Sequence, residues 1–514
     1  MTSSTVTLTP GAIDAPGVGV PAEIGKAARA AAARNIDRHT TTGQALHRAA
    51  TGDVPAWLGH VRAAAGCTRP IRLTGEIHTI DRATGAVLAR RSTQDMPDGQ
   101  IYVPCRNRRA TVCPSCAETY RADTYQLFRA GLVGGKGIPS TVASHPAVFL
   151  TLTAPSFGYV HTRRSSTKTG KVLPCRPRRT TDTCPHGANL VCNQVHAEGE
   201  HALGQPYCLD CYDHHHQVVW NHHAGELWRR TTIALNRELA RLAKRYGVNV
   251  RISYAKVAEF QARGVVHFHA LIRLDGRNPA DPDTVLPPHP DLTRQVLEEA
   301  IYRAAYSTTF TTDPHPAQPN GWRIAWGAQV VARPVHVSAD GEVTDTMVAA
   351  YLAKYATKAT ESTGHISARL THDTIDLYAD ETTHTGRLIA ACWTLGATHR
   401  NRTDKAWWTG LRRWAHMLGF GGHFSTKSRR YSVTLRFLRD ARIEYARQEI
   451  RAADHDEETT LIVGLLSYAA TGWKTHGDAM LANTAADLAR SRRLTAREEL
   501  AHELGTRAPE PATT

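Results

Sequence analysis

The stretch GVVHFHALIRLDG, residues 264–276, places two histidines one residue apart within an otherwise apolar run. Residues i and i+2 of a β-strand point to the same face, so His267 and His269 present their imidazoles side by side, with Phe268 on the other face. Upstream, NVRISYAKVAEF also reads as a strand, and QARG between the two segments predicts a hairpin turn. Two neutral imidazoles at this spacing can chelate a divalent ion, while buried or surface histidines are the alternative interpretation.

Length and charge limit the class of protein. A chain of 514 residues predicts roughly two to four domains. Its 62 lysines and arginines against 47 acidic residues give a formal charge of +15, and the excess is concentrated in CRNRR, RPRR and TKSRRY. Such clusters favour a surface that binds a polyanion, although a merely basic soluble protein would have the same balance.

The sequence contains no recognisable membrane or export segment. No run approaches the roughly 18 uninterrupted apolar residues that a membrane-spanning helix needs. The N-terminus lacks the basic and apolar regions of a signal peptide, so we expect a cytoplasmic protein. Stable disulfides are not expected in that compartment, and metal sites become the better explanation of the ten cysteines.

Most of the cysteines are concentrated in one region and include two C-x-x-C pairs. These residues are Cys105, Cys113, Cys116, Cys175, Cys184, Cys192, Cys208 and Cys211. They suit one or two tetrahedral structural zinc sites, with reduced and partly buried cysteine as the alternative. The spacing does not reveal which residues share an ion. Further candidate ligands are Cys67, His186, His196, His201 and the run from His214 to His216, whereas Cys392 stands apart and is expected in the core.

The segment VTDTMVAAYLAKYATKATE predicts a helix that pairs tyrosines with lysines. Tyr351 and Tyr355 lie one turn apart on one face, and Lys354 and Lys358 lie on the neighbouring face. A tyrosine hydroxyl can attack a phosphodiester and form a covalent ester, which a nearby cation assists. A half-buried aromatic ridge beside solvated lysines is the alternative.

Three segments in order, FLTLT (149–153), HFH (267–269) and YLAKYATK (351–358), resemble the motifs of the HUH endonucleases, specifically the rolling-circle replication initiators. The paired tyrosines resemble the two-tyrosine class. The segments CRNRRATVCPSCAETYRADTY and RRWAHMLGFGGHFSTKSRRYSVTL are similar to initiators of actinobacterial plasmids and integrative elements. The resemblance spans roughly 66–440, and it is the ordered set of motifs that makes it specific.

The resemblance implies an α+β fold with an HUH-type core, a central antiparallel sheet flanked by helices. The cysteines add an interleaved zinc-binding module to this prediction, and the sequence pattern adds a mostly helical C-terminal region. It implies that His267 and His269 hold Mg²⁺ or Mn²⁺. Glu259 is the expected third ligand, since it ends the strand that pairs with the histidine strand. A hard oxygen ligand beside two imidazoles suits an ion that acts on a phosphate.

The activity implied by the resemblance is site-specific nicking of a plasmid origin. Tyr351 or Tyr355 attacks the scissile phosphate, a 5′-phosphotyrosine forms, and a free 3′-hydroxyl serves as primer, with Lys354 or Lys358 assisting. The expected partners are origin DNA, single-stranded at the nick, and the host helicase and polymerase. The alternatives are a non-catalytic zinc-dependent DNA-binding regulator and an HUH relaxase or transposase, and the motif order disfavours a relaxase.

The block RRWAHMLGFGGHFSTKSRRYSV mixes basic, aromatic and glycine residues, as surfaces that follow a nucleic-acid backbone do. Lys427, Arg429 and Arg430 are the candidate phosphate contacts, together with Arg263 in the hairpin turn. A solvated basic loop is the alternative.

The predicted organisation runs in sequence. It comprises a flexible leader (1–41), an N-terminal helix and strands (42–104), a zinc-binding module interleaved with the first nuclease strand (105–217), the nuclease core (218–365), a helical basic DNA-binding region (366–505) and a disordered tail (506–514).

Overall fold

The computed structural model describes residues 36–51, 54–166, 168–335, 349, 352–353, 369–397, 408–442 and 460–506. The strands are β1 (Ile71–Asp81), β2 (Val87–Ser92), β3 (Ile101–Val103), β4 (Ala147–Leu152), β5 (Arg164–Ser165), β6 (Val172–Leu173), β7 (Val250–Phe260), β8 (Val266–Gly276), β9 (Thr309–Thr311), β10 (Arg323–Ala325), β11 (Val330–Pro334), β12 (Ser425–Lys427) and β13 (Thr460–Thr471). The α-helices are α1 (Thr41–Thr51), α2 (Val54–Val61), α3 (Pro114–Val133), α4 (His214–Ala243), α5 (Arg294–Ser307), α6 (His384–Leu395), α7 (Thr409–Arg413) and α8 (His476–Thr506).

The chain divides into two compact units, one formed by residues 1–105 with 456–514 and the other by residues 106–455. The sequence-based boundaries at 217 and 365 fall inside the second unit. The region 366–505, predicted to be helical, is shared between the units and contains β12 and β13. The predicted mixture of helices with antiparallel sheets is confirmed.

In the first unit, the strand Thr460–Thr471 differs from the helix that the sequence predicts. It pairs along its whole length with Ile71–Asp81, which also pairs with β2 and β3. The segment TLIVGLLSYAAT is apolar almost throughout, and periodicity alone does not separate a strand of this kind from a helix. Its partner lies nearly four hundred residues earlier in the chain, so the pairing could not be read locally.

The second unit is built on a five-stranded antiparallel sheet in the order β11–β4–β8–β7–β12. One face of this sheet is covered by α4 and α5, which help to bury the side chains of Leu150, Phe268 and Ile272, and α6 packs against α4. The other face, here called the histidine face, contributes Ala255, Val257 and Leu271 to a separate apolar cluster. That cluster also contains residues of α3 and the buried side chains of Ala349 and Leu352.

The β7–β8 hairpin is held at its turn by a buried asparagine on α4. Val250 pairs with Gly276 and Phe260 with Val266, which confirms the predicted hairpin. Asn221 donates to the carbonyls of Gly264 and Leu418, and its side-chain oxygen accepts from the amide of Val266. Gly264 has a φ of +73°, and a Cβ there would lie 2.8 Å from the Leu418 side chain, so the turn requires glycine.

A buried ionic network lies at the other end of the histidine face. Arg273 and Asp275 are both fully buried and joined by two hydrogen bonds of 2.7 and 2.9 Å. Asp275 also accepts from His145 at 2.8 Å and from Ser253 at 2.6 Å. Arg273 further donates to the carbonyl of Gly131 in α3. The network thereby ties the sheet to the helix that covers this face.

A lysine is buried on the opposite face of the sheet. Lys256 is 4% exposed, and its Nζ lies 3.8 Å from the ring centre of Phe268. Burial lowers the pKa of Lys256 to about 7. We therefore expect Lys256→Met to raise the free energy of unfolding at pH 7 by about 1–3 kcal/mol, measured by urea denaturation.

The increase in the free energy of unfolding caused by Lys256→Met should depend on pH, in a direction set by the lowered pKa of Lys256. Between pH 7 and about 10.5 the unfolded chain holds a proton on Lys256 that the folded chain does not, so the stability of the natural protein rises over this range. The advantage of the variant should be largest at and below pH 7 and should disappear near pH 10.5. Lys244→Met, at an exposed site, is the control, and equal effects of the two substitutions would contradict the prediction.

Candidate functional site

Two imidazoles and a carboxylate converge on the histidine face where the hairpin strands end. The register places Glu259 of β7 directly opposite His267 of β8. Oε2 of Glu259 lies 3.1 Å from Nε2 of His267 and 3.6 Å from Nε2 of His269. The ring centres of the two histidines are 4.5 Å apart, and one ligand atom from each of the three residues lies within 4.8 Å of the others. The three side chains therefore lie together, as expected from the sequence.

Neighbouring side chains orient both imidazoles. Thr151 of β4 lies opposite His269, and its hydroxyl is 3.0 Å from Nδ1 of that ring. The Phe149 ring stacks on His269 at an interplanar angle of 7°. On the other side, the amide nitrogen of Gln261 lies 3.3 Å from Nδ1 of His267. With Nδ1 of His269 engaged by Thr151, Nε2 is the nitrogen that faces Glu259.

The electrostatics of the three residues suit a cation. Burial by itself raises the pKa of Glu259, but hydrogen bonds from His267 and His269 hold it below its ordinary value. Burial lowers the pKa of His269, and Glu259 only partly offsets that effect. At neutral pH the group therefore offers an ionised carboxylate beside a neutral imidazole, which are the protonation states a divalent cation requires. The donor set fits Mg²⁺ or Mn²⁺.

The predicted nucleophiles and their lysines, Tyr351, Tyr355, Lys354 and Lys358, lie outside the described residues. The structure does describe Ala349 and Leu352 from the same segment. Both are fully buried in the apolar cluster of the histidine face, where they pack with Val257 and Leu271. Ala349 and Leu352 therefore belong to the apolar cluster on the same face of the sheet as His267 and His269.

Two groups of cysteine and histidine are assembled in the region 161–211. One consists of His161, Cys175, Cys192 and His196, and the other consists of Cys184, His186, Cys208 and Cys211. In each group the four ligand atoms lie within 4.8 Å of one another. Five of the predicted cysteines, with His186 and His196, therefore belong to these two groups in 161–211.

The other candidate ligands, among them Cys67, Cys105, Cys113, Cys116, His201 and His214, lie outside these two groups. In the first unit the amide of Cys105 donates to Sγ of Cys67 at 3.3 Å. In the second unit Cys113 caps α3, and Cys116 lies in its first turn. Cys392 is fully buried in the core, as predicted. His201 is exposed, and His214 pairs with His384 at 3.1 Å instead of joining either group.

Comparison with known proteins identifies the family. Residues 53–487 match the profile of a family described as "Replication initiator protein, pSAM2" (RepSA). The chain belongs to this family. A "Replication initiator protein" from Streptomyces ambofaciens is similar to this initiator, with 41% identity over 483 residues, which cover 90% of this chain and 97% of the relative. No solved structure matches the chain. The sequence-based recognition of a replication initiator is confirmed.

The basic residues predicted to contact phosphates differ in availability. Lys427 directs its ammonium inward and donates to the carbonyl of Ser432 at 2.6 Å. Asp283 pairs with both Arg430 at 2.7 Å and Arg429 at 3.6 Å, but the side chain of Arg429 is 79% exposed. Burial lowers the pKa of Lys427. Of these three cations in the initiator, Arg429 is the one best exposed for a phosphate.

Arg263 has a supporting position in the hairpin turn of the initiator. Its guanidinium donates to Gln261 at 3.1 Å and to the carbonyl of Pro155 at 3.3 Å. The loop with Arg429 begins beside Tyr254, about 17 Å along β7 from Glu259 at the usual rise per residue. Arg263 is therefore close to the histidines, and Arg429 is at the far end of the sheet.

Sequence reasoning missed two residues beside the histidines, Thr151 and Gln261, and one residue of the cysteine–histidine groups, His161. Thr151 belongs to the FLTLT segment, but nothing in that segment shows that it faces His269. Gln261 belongs to the QARG turn, where its contact with His267 depends on turn geometry. His161 lies fourteen residues before Cys175, beyond any short motif.

Among the described residues of the initiator, no helix is both long and apolar enough to cross a membrane.

Proposed function

We propose that this initiator nicks and rejoins one strand of a plasmid origin through a phosphotyrosine intermediate. The observation that carries the proposal is the convergence of Glu259, His267 and His269 on the sheet face against which Ala349 and Leu352 pack. Phosphodiester transfer needs a group that binds and orients the scissile phosphate, and a nucleophile positioned to attack the phosphorus opposite the leaving oxygen. The family to which the chain belongs favours DNA as the substrate.

Glu259, His267 and His269 would hold the Mg²⁺ or Mn²⁺ ion. When bound, such an ion supplies positive charge that polarises the scissile phosphate. The Thr151 hydroxyl engages Nδ1 of His269 and so fixes the direction of Nε2, while Gln261 limits rotation of the His267 ring. These contacts would keep the carboxylate and imidazoles in place without large rearrangement.

The chemistry would be carried by a tyrosine of the segment 351–358. The phenolic oxygen of Tyr351 or Tyr355 attacks phosphorus, the bond to the 3′ oxygen breaks, and the released 3′-hydroxyl takes a proton. Lys354 or Lys358 would stabilise the developing negative charge. The bond energy is conserved in the phosphotyrosine ester, so a second attack by a DNA 3′-hydroxyl rejoins the strand without ATP. Two tyrosines allow two such transfers in succession.

DNA binding would combine the basic surface with the nuclease face. Arg429 is a candidate phosphate contact, and a contact about 17 Å from the histidines would engage a backbone that extends past the nick. Extension of the released 3′ end requires a polymerase and a helicase from the host, so these are the proposed functional partners.

The decisive experiment incubates the full chain with a supercoiled plasmid that carries the origin of its own element, with and without Mn²⁺. We expect relaxed circles with protein attached at a 5′ end, and peptide mass spectrometry should locate the adduct on Tyr351 or Tyr355. The single variants Tyr351→Phe and Tyr355→Phe should separate initiation from termination. Adducts or nicks retained in the double variant would rule out the covalent scheme, and origin binding without any nick would favour the non-catalytic regulator.

A further inference from the structure

We propose that residues 161–211 bind two zinc ions in a cross-braced module that supports the turn of the nuclease hairpin. The ligands occur along the chain as four pairs: 161/175, 184/186, 192/196 and 208/211. The first and third pairs meet in one group, and the second and fourth pairs meet in the other. Each ion would therefore close a loop that contains half of the other site.

The first group has the contacts of a preorganised metal site. Nε2 of His196 lies 3.2 Å from Nδ1 of His161 and 3.6 Å from Sγ of Cys192. The opposite nitrogen of His196 pairs with Glu200 at 2.8 Å, an arrangement that orients metal-binding histidines in proteins. The amide of Thr162 donates to Sγ of Cys175 at 3.1 Å, as amides do to metal-bound thiolates. Two imidazoles and two thiolates match the ligand sets of structural zinc.

The second group combines a C-x-x-C pair with a short C-x-H turn. Nδ1 of His186 lies 3.2 Å from Sγ of Cys211 and 3.8 Å from Sγ of Cys208. The turn that contains Cys184 is closed by a hydrogen bond from the amide of Gly187 to the carbonyl of Cys184. Three thiolates and one imidazole form another common zinc set, and no cysteine of this group is in a disulfide.

The region has almost nothing else to hold it together. Among the described residues from 161 to 211, the buried ones are Cys175, Cys184, Cys192, His196 and Gly204. Four of these five belong to the metal groups. The regular structure in this stretch is the short β5–β6 pair. A segment of this length without an apolar core needs cross-links, either disulfides or bound metal ions, to stay folded. Because its cysteines are free thiols, the cross-links proposed here are metal ions.

The module packs against the hairpin turn next to the histidines. A Cβ on Gly204 would lie 2.5 Å from the backbone of both Ala262 and Arg263, so these two segments of the chain are in close contact. Tyr212, next to Cys211, donates to Gln217, whose amide nitrogen donates to the carbonyl of Arg263 at 2.9 Å. The ions would thereby restrain the turn that includes Gln261. This consequence rests on the proposed function, whereas zinc binding itself does not.

Zinc content of the full chain, measured by elemental analysis, tests the assignment without a nicking assay. Cys192→Ser/Cys208→Ser, which breaks one ligand in each group, should contain two fewer zinc ions per chain than the natural protein. Cys392→Ala replaces a buried core cysteine and should leave the zinc content unchanged. The zinc content of each variant is compared with that of the natural protein, because other cysteines that could bind zinc remain in all three proteins. A difference of one ion or none would overturn the assignment.

Hydrogen exchange on the natural protein covers the case in which the double variant fails to fold. Treatment with a zinc chelator should raise amide exchange across 161–211 to near that of an unfolded peptide, while the amides of β7 and β8 away from the turn stay protected. Readdition of zinc should restore the protection. Unchanged exchange across 161–211 after the ions have been removed would refute the proposal.

Discussion

Loss of DNA nicking by at least about 1,000-fold is the result expected for His267→Ala/His269→Ala, because metal assistance of phosphate transfer is worth several kcal/mol. Both imidazoles face Glu259, and with both removed a single carboxylate remains to hold the ion. The variant should also lose the Mn²⁺ that the natural protein binds, measured by electron paramagnetic resonance. Duplex origin binding should change little, since neither ring belongs to the basic loop.

An intermediate variant and a matched control sharpen this test. Thr151→Val keeps both imidazoles but removes the hydroxyl 3.0 Å from His269, and should weaken Mn²⁺ binding by roughly 10-fold. His289→Ala removes an imidazole that stacks on Tyr246, away from the site, and should leave nicking and Mn²⁺ binding unchanged. Nicking at the natural rate in the double-histidine variant would refute the role assigned to the triad.

A loss of about 3–5 kcal/mol in the free energy of unfolding is expected for Asp275→Ala, because it leaves the guanidinium of Arg273 buried without its counter-charge. Urea denaturation followed by tryptophan fluorescence gives the change. Burial by itself raises the pKa of Asp275, but hydrogen bonds from His145 and Arg273 hold it below its ordinary value. The stabilisation is therefore full above about pH 4 and is lost as the pH falls through the depressed pKa.

Two further variants separate the ion pair from ordinary loss of contacts. Arg273→Met/Asp275→Leu removes both charges together and should be much less destabilised than Asp275→Ala. Asp283→Ala breaks an exposed pair with Arg430 and should cost less than about 1 kcal/mol. If the buried and exposed aspartates gave equal losses, or if the double variant were the least stable of all, burial of charge could not be the cause.

The core of the candidate site could be predicted because it is local. The alternation around His267 and His269 defines a strand, and a short turn fixes which residue of the preceding strand lies opposite. Glu259 follows from that register. The hairpin follows from the same period-two pattern, whereas the order of the motifs led to the family and, through that resemblance, to the α+β class.

Other features depended on pairings between distant segments. The grouping of cysteines and histidines within 161–211 was not readable, because every thiolate is chemically equivalent until the chain path decides which ones meet. The pairing of β1 with β13 joins segments nearly four hundred residues apart, and the Arg273–Asp275 network includes contacts from Arg273 to Gly131 in α3 and to the carbonyl of Tyr431.

Residue types and spacing alone establish which metal-binding groups the chain provides: two imidazoles on one strand face, a carboxylate opposite them, and enough thiolates to bind structural metal. Residue type and strand periodicity are properties of the local chain, so they can be read without a fold. The tertiary structure alone decided that Thr151 orients His269, which ligands share each proposed zinc ion, and which cations remain exposed. These three features depend on distances between segments that are far apart in the sequence, and those distances are set by how the whole unit packs.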